Sequence, residues 1–250
     1  MHLTKRSYIA ITIDLDWASE SAIDDTLQYF SGKKLPVTVF ATHNSEVVAK
    51  SGFDVGLHPF FGKNSSHGTD ISDVVINILQ VPHNLKVFRS HRFENSNETY
   101  QAMLENGFYA SSNICTDLEL LSPFYNRFQM LEVPIFLEDG GYLFNKHPLQ
   151  LNDTLKDKLL SPGLKTIVIH PMHFNLNTPE WEFMVKIKEE FNREQWNSLL
   201  EKDLKKIRSY KQGIRNFMTE LVDFSILNGI QFLPLSKVFS NTKLSVRNLT

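Results

Sequence analysis

Asp14 and Asp16 stand two residues apart at the end of the apolar run AITID. Further along lie His58 in GLHP, Arg89 and His91 in FRSHRF, Glu138 and Asp139 in IFLEDGG, and His170 and His173 in IHPMH. A carboxylate with two neutral imidazoles is a donor set for zinc and other first-row divalent ions, and a catalytic centre keeps one position open for water. On an ideal strand, residues 14 and 16 face the same way. One acid could then hold an ion while the other takes a proton from an attacking water. Taken singly, each piece has a plainer reading: solvated acids at a strand end, a loop histidine before Pro59, a basic turn at RSHR, a structural ion pair for Arg89, a satisfied core histidine at 170. Pro171, directly after a strand, argues against a ligand helix carrying His170 and His173.

What unites the pieces is where they fall in the pattern of elements. Short β-rich runs at 8–14, 36–42, 54–58, 86–91, 109–114, 129–136, 166–170 and 230–235 alternate with helical patterns. Several runs are almost continuously apolar, as in strands covered on both faces. SESAIDDTLQYFSG places Ile23, Leu27 and Phe30 on one face between a Ser/Glu start and a closing Gly32. SEVVAKSG, TDISDVVINILQ and NSNETYQAMLENG follow the same logic, and a long amphipathic segment fills about 190–227. This alternation predicts an α/β fold, an irregular (β/α) barrel of seven or eight strands, over a single domain spanning 1–250. The acids, histidines and Arg89 then sit at the carboxyl ends of separate strands, on the rim where such barrels keep their chemistry. Their joint placement outweighs the plain readings.

Composition narrows the function classes. The 250 residues are 42% hydrophobic, enough for one substantial core. With 26 basic and 28 acidic residues and no basic block, nucleic acid is not an expected partner. No run approaches the ~20 apolar residues of a membrane span, so a cytoplasmic protein is expected. The lone Cys115 fits a reducing compartment and a buried structural thiol. His2, His43, His83 and His147 read as terminal or loop residues; His67, nine residues after His58, is an alternative ligand. Trp17, Trp181 and Phe183 could form a sugar platform or simply pack, and the segment 175–195 could cover the mouth.

These residues resemble the polysaccharide deacetylases, carbohydrate esterase family 4 and its relatives. TIDLDWA resembles that family's TFDD-like first strand end, PVTVFAT its ATFF strand, GFDVGLHPFF its HEIGLH metal motif, and TIVIHPMHF its late LxH motif. The match runs in order over about residues 8–175. DWA, GLHP, RSH, VPIFLED and IHPMHFNLNT are similar to a divergent branch associated with surface-polysaccharide biosynthesis. Two departures stand out: Leu15 separates the two acids, and Gly62 occupies the place of the family's second metal histidine. The resemblance implies a hydrolase that removes an acetyl group from an N-acetylated sugar or polysaccharide precursor, using a divalent ion, zinc above others. By resemblance and position, Asp16, His58 and His91 hold the metal, Asp14 is the general base, Arg89 orients it, and His170 protonates the leaving amine. Trp17, Glu138, Asp139 and His173 are the expected substrate contacts, with the acid pair also open as ligands. Two other readings stay open: another C–N amide hydrolase on the same barrel, and an inactive barrel that binds a glycan or a biosynthetic partner.

Overall fold

A computed structural model describes residues 5–240. Its strands are β1 (Ser7–Asp14), β2 (Val37–Ala41), β3 (Asp54–Leu57), β4 (Val87–Phe88), β5 (Ala110–Ser111), β6 (Phe124–Tyr125), β7 (Leu131–Glu132), β8 (Ile135–Glu138), β9 (Gly163–Ile169) and β10 (Gln231–Phe232). The helices are α1 (Glu20–Gly32), α2 (Glu46–Ser51), α3 (Ile71–Ile78), α4 (Asn97–Glu105), α5 (Asp139–Phe144), α6 (Asp153–Leu160), α7 (Pro171–Asn175), α8 (Trp181–Glu190), α9 (Arg193–Asn197), α10 (Glu201–Ile207) and α11 (Ile214–Leu227). Among the described residues, no helix is long and apolar enough to cross a membrane.

The strands form one curled sheet in the order β6-β7-β5-β4-β3-β2-β1-β9-β8, with β10 added to the start of β1. All pairings are parallel except that of β6 with β7. The two ends of this order are one stretch of chain. β7 pairs with β5, and β8 pairs with β9 after only Val133 and Pro134. The run expected at 129–136 is therefore two strands. Pro134 has no N–H to give, and the chain changes partner there. The result is the expected barrel-like ring, with β6 as an antiparallel addition that the sequence reading did not contain.

Side chains alternate along β1 as the period-2 rule demands. Ile9, Ile11 and Ile13 pack outward against the helices, in a cluster that includes Ile23, Leu27 and Phe30 of α1. Tyr8 and Ala10 point the other way, among Phe40, Val87 and Leu164. Thr12 and Asp14 follow Tyr8 and Ala10 in that alternation. Helix starts are capped where the sequence offers a small polar residue: Ser19, Ser45, Asp70 and Ser96 each accept an N–H from the first turn. The segment at 190–227 is not one helix. Asn192 and Gln195 form a capping box that starts α9, and Gly213 starts α11.

Candidate active site

The first strand delivers its acids through a strained turn. β1 ends at Asp14, and Ala18 N–H donates to the Leu15 carbonyl at 2.7 Å. The central residues Asp16 and Trp17 both have positive φ, 44° and 54°, the pattern of a type I′ turn. Asp16 faces the same site as Asp14 because of this turn, not through strand periodicity as the spacing predicted. Positive φ at two non-glycine residues costs of order 1–3 kcal/mol each and persists where the surroundings impose it.

His58, from the end of β3, lies between the two acids. Its Nε2 is 3.0 Å from Asp16 Oδ1 and its Nδ1 is 3.9 Å from Asp14 Oδ2. His91 follows β4 in a single 3-10 turn (His91–Phe93), and its Nδ1 is also 3.0 Å from Asp16 Oδ1. The buried His58 Nδ1 has no hydrogen-bond partner. Burial alone would raise the Asp16 pKa, but His170, His58 and His91 together hold it well below the usual carboxylate range.

These three side chains fit a divalent ion. Their donor atoms lie within 4.8 Å of one another. Bonds of about 2.0–2.1 Å in tetrahedral geometry set ligand atoms roughly 3.3 Å apart, close to the separations seen. Gly62 could not carry the family's second imidazole without rearrangement, since a Cβ there would lie 1.8 Å from Glu94 Oε2 and 2.6 Å from the Phe60 ring. His91 instead packs edge-on against both Phe60 and Trp17. His67 is otherwise employed: its Nδ1 accepts from Phe60 N–H at 3.0 Å, and its Nε2 meets the Thr42 carbonyl at 2.8 Å. Both nitrogens serve the backbone, and burial keeps its pKa low.

Arg89 is fully buried and anchors Asp14. Its Nη1 donates to Asp14 Oδ1 at 2.7 Å and Thr12 Oγ1 at 2.9 Å. Nε and Nη2 donate to the Ser112 carbonyl and hydroxyl at 3.0 and 2.8 Å. The guanidinium lies 4.2 Å over the Phe40 ring. Thr12 and Ser112 were not singled out from the sequence. Thr12 was findable, because it shares the inward face of β1 with Asp14.

On the opposite wall, His170 Nδ1 is 2.5 Å from Asp139 Oδ1, and the His170 backbone N–H donates to Asp139 Oδ2 at 2.8 Å. Its Nε2 is 3.5 Å from Asp16 Oδ2. Burial lowers the His170 pKa, but Asp139 and Asp16 overcome it and hold the imidazole well above 6.5. Glu138, 3.4 Å from His170 Nδ1, accepts from Gly140 and Gly141 N–H and caps α5. Burial pushes its carboxyl up to about 7. Glu138, Asp139 and His170 are also close enough to bind an ion. Their oxygens are already taken by helix N–H groups and by His170, so they read as a support for the imidazole.

Several of the expected substrate contacts have other surroundings. Asp139 is fully buried beneath His170. His173 is buried, 3.2 Å from Thr178 Oγ1, with its pKa lowered to about 4 by burial. Trp17 is hemmed in by Phe60, His67 and His91, with Arg193 at 4.9 Å over its ring. Phe183 packs against the core, while Trp181 stands edge-on to Phe144. Pro171 does begin a helix, α7, with His170 as its N-cap. Proline suits the first helical position, where no N–H is needed. Cys115 is exposed, its thiol pKa raised chiefly by desolvation, the wrong direction for a nucleophile.

The site is thus a set of carboxylates and imidazoles on the carboxyl rim of a curled, almost all-parallel sheet. The sequence model described as "WbmS-like: Polysaccharide deacetylase" matches residues 11–188, and the chain belongs to that family. The fold is similar to that of a Bordetella bronchiseptica protein provisionally described as a polysaccharide deacetylase involved in O-antigen biosynthesis. Identity is 23%, coverage 87% of this chain and 90% of that one, and the TM-score 0.74. More distant matches include a polysaccharide deacetylase, also provisionally so described, from Mycobacterium smegmatis, at 12% identity, 92% and 93% coverage and TM-score 0.47. A CE4 family pseudoenzyme from Bacillus anthracis matches at 11% identity, 78% and 67% coverage and TM-score 0.40. No curated protein matches the chain.

Proposed function

We propose that this chain is a divalent-metal-dependent amide hydrolase that removes an acetyl group from an N-acetylated sugar in a surface-polysaccharide precursor. The observation that carries the proposal is the meeting of His58 Nε2 and His91 Nδ1 on one Asp16 oxygen, flanked by the Arg89–Asp14 and Asp139–His170 pairs. An ion held by Asp16, His58 and His91 would supply Lewis acidity to the acetamide carbonyl and acidify the attacking water.

Asp14 is the general base. Arg89 holds its Oδ1, which leaves Oδ2 to take the proton of the water that adds to the carbonyl. His170 is the general acid. Asp139 occupies its Nδ1, so Nε2 carries the proton to the amine as the C–N bond breaks. Acetate and a free amino sugar leave. The placement of strand ends on one rim and the family membership support this reading. It is tested by acetate release from N-acetylated nucleotide sugars and oligosaccharides, with Asp14→Asn and His170→Ala as controls. Each variant should lose ~100- to 10,000-fold in rate while staying folded. Near-full activity in either would remove its assigned role.

A further inference from the structure

Two arginines stand beside the site, and the catalytic reading uses neither. Arg193, the first residue of α9, lies 4.9 Å over the Trp17 ring. Arg92, directly after His91, lies 5.9 Å over the Phe60 ring. Both rings pack on the His91 imidazole, Trp17 at 5.1 Å and Phe60 at 4.8 Å between centroids. Each guanidinium is therefore one aromatic ring away from His91.

Both side chains are exposed, and among the described residues neither guanidinium has an ion pair or a hydrogen bond. Acids are at hand: Glu94 is two residues after Arg92, and Glu194 is next to Arg193, yet neither pairs with them. A guanidinium resting on a ring uses one face and leaves the N–H donors at its edge free. Arginine is the side chain that meets a carboxylate or a phosphate with two parallel bonds, and a planar group already held in place loses less freedom on doing so.

The backbone is strained at the same place. Arg92 and Phe93 have φ of 56° and 58°. This left-handed pair follows His91, as the left-handed pair at Asp16 and Trp17 follows β1. Strain of this kind is retained where the surroundings impose it, and it gathers at ligand sites.

We propose that Arg92 and Arg193 recognise an oxyanion of the substrate. The preferred substrate is then an N-acetylated sugar that carries a phosphate or a carboxylate near the acetamide, rather than a neutral one. The sugar rests on the deacetylase reading; the oxyanion rests on the two unpaired guanidinia.

The test is calorimetric titration of the full chain, loaded with one equivalent of zinc, with three sugars: N-acetylglucosamine, N-acetylglucosamine 1-phosphate and N-acetylglucosaminuronic acid. Wild type is compared with the double variant Arg92→Gln/Arg193→Gln, whose two sites are exposed and should leave folding intact. At least one anionic sugar should bind about tenfold or more tighter than the neutral one, the scale of one charge-assisted hydrogen bond. Which of the two does so names the source of the oxyanion. The gain should fall toward one in the double variant. A wild-type gain below about tenfold with both anions, or a gain that the double variant keeps, would overturn the proposal; the latter would put the anion on the zinc instead. Acetate release from the same sugars is scored separately. A gain that needs the arginines, without any deacetylation, would keep the oxyanion site and reject the hydrolase reading. Deacetylation without such a gain would do the reverse.

Discussion

Replacing Arg89 by methionine isolates the electrostatic anchor of the site. In the wild type this fully buried guanidinium satisfies Asp14, Thr12 and Ser112. Thr12 and Ser112 keep their own donor bonds, to the Ile167 and Val133 carbonyls, when Arg89 is gone. The main injury is therefore the buried Asp14 carboxylate left without its cation. Breaking a buried pair from one side costs about 3–5 kcal/mol. At about 2–4 °C per kcal/mol for a chain of this size, the unfolding midpoint should drop by roughly 6–20 °C. The assays are thermal and urea denaturation of metal-free protein for wild type, Arg89→Met, Asp14→Asn and the double variant, the first reading the midpoint and the second the free energies. Because each single change strands the other charge, the double variant should be less destabilised than the sum of the singles, by at least about 1 kcal/mol. An Arg89→Met loss under about 1 kcal/mol, or strict additivity, would refute the argument.

Three further outcomes follow from the same geometry. Asp139 is the leading cause of the raised His170 pKa. A general acid loses function as pH rises through its pKa, so Asp139→Asn should move the alkaline limb of the rate profile to lower pH. An unchanged limb would deny the pair its role. His173 has a folded pKa of about 4 against 6.5. The unfolded chain binds that proton first, so its stabilising contribution is present above pH 6.5 and is lost as pH falls toward 4. Relative to His173→Gln, wild type should lose up to about 3 kcal/mol over that window; parallel pH–stability curves would contradict this. His91→Ala should weaken zinc binding by more than the roughly 10- to 100-fold that follows loss of a group supporting a ligand. His67→Ala should keep one equivalent of zinc. Competition with a chromophoric chelator reads both, and the reverse order would exchange the two histidines' roles.

The rim was legible because parallel strands deliver their last residues to one side of a barrel. Asp14, His58, Arg89, His91 and His170 could all be assigned to strand ends, and the structure brings all five together. What each polar group does there depends on partners that one-dimensional spacing does not carry. Asp139 looked like an open contact because it follows a strand, yet it is fully buried under His170. His173 shares its motif with His170, but α7 turns it inward to Thr178. The turn at Asp16 and Trp17 was hidden because neither residue type announces positive φ as glycine does. Pro171 misled because proline limits the conformation locally but does not say whether a helix begins, and Pro134, inside the run read as one strand over 129–136, was a break that went unused.

The most direct test of the account is acetate release from tri-N-acetylchitotriose by protein stripped with chelator and then given one equivalent of zinc. The account predicts no release by the stripped protein, restoration at one equivalent, and no restoration in Asp16→Ala or His58→Ala. Undiminished release by the stripped protein, or restoration in either variant, would contradict it.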